Sequence, residues 1–134
     1  MEEELTPENF FDTIVALTGK LINSFNPNEF PFQTLEKVDA ILAYKKANFS
    51  KIMFYSPEIK TDFQDVFIDL EEKLLLFKAA MNEGELAVAT SRKDFVTVRN
   101  SFLITIRPLV LQIKGTTLSR FKNFQKFLKI AGLV

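Results

Sequence analysis

Cysteine, histidine and tryptophan are absent from the chain. Disulfides, thiolate nucleophiles, imidazole bases and zinc sites of the Cys/His type are excluded with the first two. Glycine is scarce at 4 residues, and no P-loop, dinucleotide fingerprint or nucleophile elbow is present. Long apolar runs are missing too. The stretch from Asn100 to Ile113 contains Arg107 and Pro108 and falls short of the roughly 20 apolar residues that a bilayer crossing needs. The opening Met1-Glu2-Glu3-Glu4 is acidic, whereas a secretory signal starts basic and continues apolar. These absences lead us to expect a cytoplasmic protein with no membrane segment, no cofactor, no metal and no enzymatic activity.

What is present suits one globular domain over residues 1–134, with 47% apolar and 25% charged residues. Helical spacing dominates. Leu5-Thr6-Pro7-Glu8 is a cap, a proline at the first helical position and an acid that complements the dipole. The first helix carries Phe10, Ile14, Leu17, Leu21 and Phe25 on one stripe and stops at Asn26-Pro27-Asn28. Phe30-Pro31-Phe32 reads as a loop packed onto the body. A second helix from Gln33 or Thr34 to about Tyr55 buries Leu35, Val38, Leu42, Phe49, Ile52 and Met53, with Lys45, Lys46 and Lys51 in water. Ser56-Pro57-Glu58 repeats the cap signature, so the third helix is an antiparallel neighbour of the second. Its stripe is Ile59, Phe63, Val66, Phe67, Leu70, Leu74, Phe77 and Met81.

Leu86 to Ala89 fits a helical turn or an extended link. Ser91-Arg92-Lys93-Asp94 resembles a capping box for a helix that buries Phe95, Val98, Phe102, Ile106, Leu109 and Ile113. Pro108 inside that pattern predicts a kink or a split. Gly115 and Thr116 read as a stop and a new cap, with a last helix over Thr117 to Ile130. The predicted fold is an all-α, single-domain bundle of about five helices.

The net charge of zero hides an asymmetry. Residues 1–90 hold 8 basic and 16 acidic side chains, a balance of −8, and residues 91–134 hold 9 basic and 1 acidic, a balance of +8. The basic group is Arg92, Lys93, Arg99, Arg107, Lys114, Arg120, Lys122, Lys126 and Lys129, offset by Asp94 alone. Such a surface can follow a phosphate backbone, each neutralised phosphate releasing counterions. Lys122, Lys126 and Lys129 share a helical face beside Phe121, Phe124, Phe127 and Leu128, a pattern of cations next to aromatics that also suits base stacking. Three uses compete for this segment: a solvated helix face, a polyanion contact, and head-to-tail assembly of acidic front on basic back.

The 15 Phe belong to the core or to a protein-binding surface. Asp62, Asp65 and Asp69 share a face of the third helix, which is a solvated face or, with further ligands, a hard-cation site.

Leu5-Thr6-Pro7-Glu8-Asn9-Phe10-Phe11-Asp12 resembles the L-T-x-E-N-[aromatic]-x-D start of the small helical (Csm-type) subunit of type III-A CRISPR effector complexes. Gln33-Thr34-Leu35-Glu36-Lys37-Val38 is similar to that family's threonine-started second helix. Phe121-Lys122-Asn123-Phe124-Gln125-Lys126-Phe127 is similar to its closing F-x-x-F-x-[basic]-aromatic helix. Two features depart from it: Phe77-Lys78-Ala79-Ala80-Met81 lacks the family's arginine, and Ile130-Ala131-Gly132-Leu133-Val134 replaces its acidic, Tyr-rich ending. The resemblance implies a non-catalytic subunit that stacks with its own copies along an RNA duplex, with Lys122 and Lys126 inside the matching motif. Arg92, Arg99 and Arg107 are added on charge alone. The functional expectation is a non-catalytic helical subunit of a larger assembly, contacting RNA or another nucleic acid through its basic C-terminal region. The alternative is a protein-binding adaptor that does not bind nucleic acid.

Overall fold

The computed structural model describes residues 5–134, so the acidic start at residues 1–4 lies outside the described residues. The helices are α1 (Pro7–Asn23), α2 (Phe32–Asn48), α3 (Pro57–Asn82), α4 (Ala87–Ser91), α5 (Phe95–Ile113) and α6 (Phe124–Ile130). Short 3-10 turns over Phe49–Lys51 and Thr117–Arg120 follow α2 and precede α6. The class is all-α, with six helices and, among the described residues, no strand beyond an isolated bridge of Leu5 to Ile52. No helix among them is long and apolar enough to cross a membrane.

The two cap signatures act as their chemistry demands. Thr6 Oγ1 accepts from the Asn9 N–H at 3.1 Å, and Ser56 Oγ accepts from the Ile59 N–H at 3.5 Å. Each hydroxyl satisfies an amide that a helix start leaves without a partner. The third stripe is buried at every expected position, from Ile59 to Met81. Lys78 pairs with Asp39 at 2.6 Å and Lys45 pairs with Glu71, so rising numbers on α2 meet falling numbers on α3 and the two run antiparallel.

Several expectations need correction. The second helix stops at Asn48, because the backbone turns through Phe49–Lys51 to bring Ile52 beside Leu5; Met53 is exposed rather than buried. Lys45 is not a water-facing residue: it leans over the Phe49 ring at 5.4 Å while bound to Glu71. The cap of α5 is Asp94, which accepts from the Thr97 N–H at 3.2 Å and from Thr97 Oγ1 at 2.6 Å; Ser91 instead closes α4. Those two bonds hold the Asp94 carboxyl below the usual carboxylate range, so this cap weakens only as pH falls through that lowered value. Pro108 stays inside one helix and does not split it, and its exposure leaves the interrupted hydrogen bond on the wet side of α5. The expected helix over Thr117 to Ile130 is broken, because Phe121 adopts an extended backbone and puts its ring against Phe11 and Phe63.

Aromatic packing closes the core. Phe10 meets Tyr44, Phe49, Phe63 and Phe67; Phe25 meets Phe30, Phe77 and Phe102; Phe11 meets Phe121 and Phe127. Each such pair adds about 0.5–1.5 kcal/mol beyond its buried area. On the surface, Tyr55 donates to Glu8, and that bond, with some burial and the carboxylate's charge, pushes its hydroxyl up to about 12. On the alkaline side the contact keeps its full strength up to about 10 and is lost as pH climbs toward 12.

Candidate nucleic-acid interface

Residues 114–134 form a tail that folds back over the body, and three polar contacts fasten it. Asp62 on α3 accepts from the Thr117 N–H at 2.8 Å and from Thr117 Oγ1 at 2.7 Å. Asp12 on α1 accepts from Asn123 Nδ2 at 2.7 Å. Arg107 on α5 donates from Nε to the Ala131 carbonyl at 2.9 Å. Asn123 beside Asp12 and Ile130 beside Gly19 set α6 alongside α1 in the same direction. Phe121, Phe124, Phe127, Leu128 and Ala131 are buried beneath, so the tail's opposite side faces water.

Gly132 is the one glycine among the described residues at positive φ, 73°, and a Cβ there would lie 2.9 Å from Arg107 Nη2. Gly132→Ala should cost about 1–2 kcal/mol, chiefly from the left-handed backbone, since the guanidinium tip can move aside. Urea unfolding checks it, and an unchanged midpoint would mean that the fold does not hold residue 132 in the left-handed conformation.

Burial of the tail aromatics removes one expectation: Phe121, Phe124 and Phe127 face the core and offer no ring to a base. The cations fare differently. Lys114, Arg120, Lys122, Lys126 and Lys129 are all exposed. Lys122 stands in the turn before α6, so the shared helical face is carried by Lys126 and Lys129 alone. Among the described residues, none of the nine basic side chains of residues 91–134 lies within 4.0 Å of a carboxylate; the ion pairs found join Lys45, Lys73 and Lys78 to Glu71, Asp69 and Asp39. The two carboxylates that touch the tail, Asp12 and Asp62, are occupied by neutral donors.

The nine cations are carried by different elements. Arg92 and Lys93 are exposed just before α5, whereas the five unpaired tail cations follow that helix in the chain, on a tail whose end returns to Arg107. Arg99 and Arg107 lie half-buried on the helix, and Arg107 is committed to the tail.

The acidic stripe of α3 is also divided. Asp62 caps the tail's 3-10 turn, Asp69 pairs with Lys73 at 3.0 Å, and Asp65 is exposed. Among the described residues no group of three potential ligands is placed to hold a metal ion.

Two concavities complete the surface. One of about 540 Å³ lies between α3 and α5, lined by Lys73, Leu76, Phe77, Glu83, Ser101 and Thr105 among others. Leu76 is 64% exposed there, and Ile104, between the two hydroxyl residues, is 68% exposed. The other, of about 330 Å³, lies where the start of α2 meets the α3 end and α4. The exposed Phe32 on its wall is a residue that sequence reasoning missed, because Phe30-Pro31-Phe32 is divided by the structure: Phe30 goes inward and Phe32 outward. No protein-family model, curated protein or solved structure matches the chain.

Proposed function

We propose that this chain is a non-catalytic helical subunit that binds the backbone of RNA or a related polynucleotide through its C-terminal tail. The supporting observation is the set of exposed, unpaired cations at Lys114, Arg120, Lys122, Lys126 and Lys129, beside carboxylates already taken by Thr117 and Asn123. A basic group kept clear of its own acids retains its full charge for an outside anion. The resemblance of residues 5–12, 33–38 and 121–127 to the type III-A small subunit supports reading the ligand as a guide–target RNA duplex and the setting as a cytoplasmic assembly with other subunits.

Binding of labelled single-stranded RNA and of duplex, followed by fluorescence anisotropy, tests the reading. If all five tail cations meet phosphates, single-strand affinity should fall about a hundredfold between about 50 and 200 mM salt. Absence of binding at the low-salt end, or a flat salt response, would defeat it. A protein-binding bundle is the second reading, favoured by the α3–α5 concavity with its exposed Leu76, and it stands if RNA binding fails.

A further inference from the structure

Of the 15 Phe, fourteen are buried or half-buried and help hold the bundle together; Phe32 is 76% exposed. Its ring adds nothing to the core, and an apolar ring left in water has a cost that packing does not offset. The surroundings are polar and cationic. Phe32 shares the 330 Å³ concavity with Asn82, Thr90, Ser91 and Lys93, and Arg92 is exposed next to Lys93. Lys93 holds a left-handed backbone at φ 58°, fixed by its own N–H on the Thr90 carbonyl at 3.1 Å and by the Asp94 N–H on the Ala89 carbonyl at 2.8 Å. These bonds close the end of α4 in the usual left-handed way, and they leave Lys93 on the wall of the hollow. Asp94, the acid nearest in sequence, is engaged by Thr97, and no ion pair binds Arg92 or Lys93 among the described residues.

An exposed aromatic face, flanking cations and the Asn82 amide are the groups that hold an unpaired base: the ring stacks, the cations meet the adjoining phosphate and the amide meets a base edge, while the Thr90 and Ser91 hydroxyls, already donating to the Leu86 and Val88 carbonyls at 2.8 Å, add acceptors only. We infer that Phe32 with Lys93 forms a seat for one unstacked nucleobase of a single strand, separate from the tail. This rests on the polynucleotide reading above and adds a preference to it. The tail alone takes single strand and duplex by charge, whereas the seat accepts only a base free of its partner. The two contacts stand on different elements, the seat where α2 meets α4 and the cations on the tail after α5.

The test uses the full chain with an oligouridine of about 15 nucleotides and a duplex of equal length. Phe32→Ala should lower oligouridine affinity about tenfold, leave duplex affinity unchanged and leave the salt slope unchanged, because no charge is removed. Phe32→Trp should restore binding, and, as the only tryptophan in the chain, its fluorescence should be quenched when oligouridine is added. Lys93→Gln should reduce the single-strand salt slope by about 0.7. If the parent binds both ligands and Phe32→Ala binds oligouridine as tightly as the parent, the seat is refuted while the tail reading survives; the ring is then a protein contact. Equal losses for strand and duplex also refute it. If the parent binds neither ligand, both readings fall together.

Discussion

Truncation of Phe63 to alanine should destabilise the fold by about 3–5 kcal/mol, a large part of the total for a domain of this size. Phe63 is fully buried, and its ring centroid lies 5.1 Å from Phe67, 5.4 Å from Phe54, 5.8 Å from Phe121 and 6.1 Å from Phe10. Those four belong to α3, the link before it, the tail and α1, so one ring joins four segments. Removing it forfeits the transfer energy of the ring, leaves a cavity that rigid neighbours cannot fill, and deprives Phe121 of a partner. Urea unfolding monitored by circular dichroism measures the loss. A cost under about 1 kcal/mol would show that the site collapses freely and that the aromatic junction is not what fixes the tail.

Reversal of the tail charge has the largest expected effect on binding. If the tail binds polynucleotide as proposed, Lys122→Glu/Lys126→Glu/Lys129→Glu removes three phosphate contacts and adds three repulsions. RNA affinity should fall by more than about a hundredfold at low salt, and the single-strand salt slope should shrink by about 2. The fold should be nearly unaffected, since all three side chains are exposed and none is ion-paired among the described residues; Lys129 surrenders only a few tenths of a kcal/mol with the α6 dipole. A variant that binds as the parent does removes the tail from the interface. The comparison with Phe32→Ala then separates the two contributions, because charge reversal weakens strand and duplex alike while the ring matters only to the strand.

Much of this architecture is legible in the sequence where local chemistry and periodicity agree. The stripe from Ile59 to Met81 is buried at each position because a proline start, a serine cap and eight apolar residues at helical spacing all favour the same helix. Tertiary forces defeat the reading elsewhere. Phe121 to Phe127 has helical spacing, yet the helix begins only at Phe124, since burying Phe121 against Phe11 and Phe63 requires an extended residue there. Lys45 and Asp62 read as solvated charges because their partners, Glu71 and Thr117, are 26 and 55 residues away. The charge segregation is visible by counting, but which cations are committed is not, since Arg107 reaches the Ala131 carbonyl 24 residues away. Phe32 looked like one of two packed rings, and nothing in Phe30-Pro31-Phe32 distinguishes the inward ring from the outward one.

The way the tail is fastened governs how the protein behaves on the bench. None of its polar anchors, Thr117 to Asp62, Asn123 to Asp12 or Arg107 to the Ala131 carbonyl, joins two opposite charges, and its apolar side is sealed by phenylalanine. Ionic strength that screens phosphate contacts barely touches such anchors, and it reinforces the aromatic seal when the salt is sulfate or phosphate. On the polynucleotide reading proposed above, concentrated salt should therefore strip a bound polyanion without unlatching the tail, and dialysis should return a preparation competent to rebind.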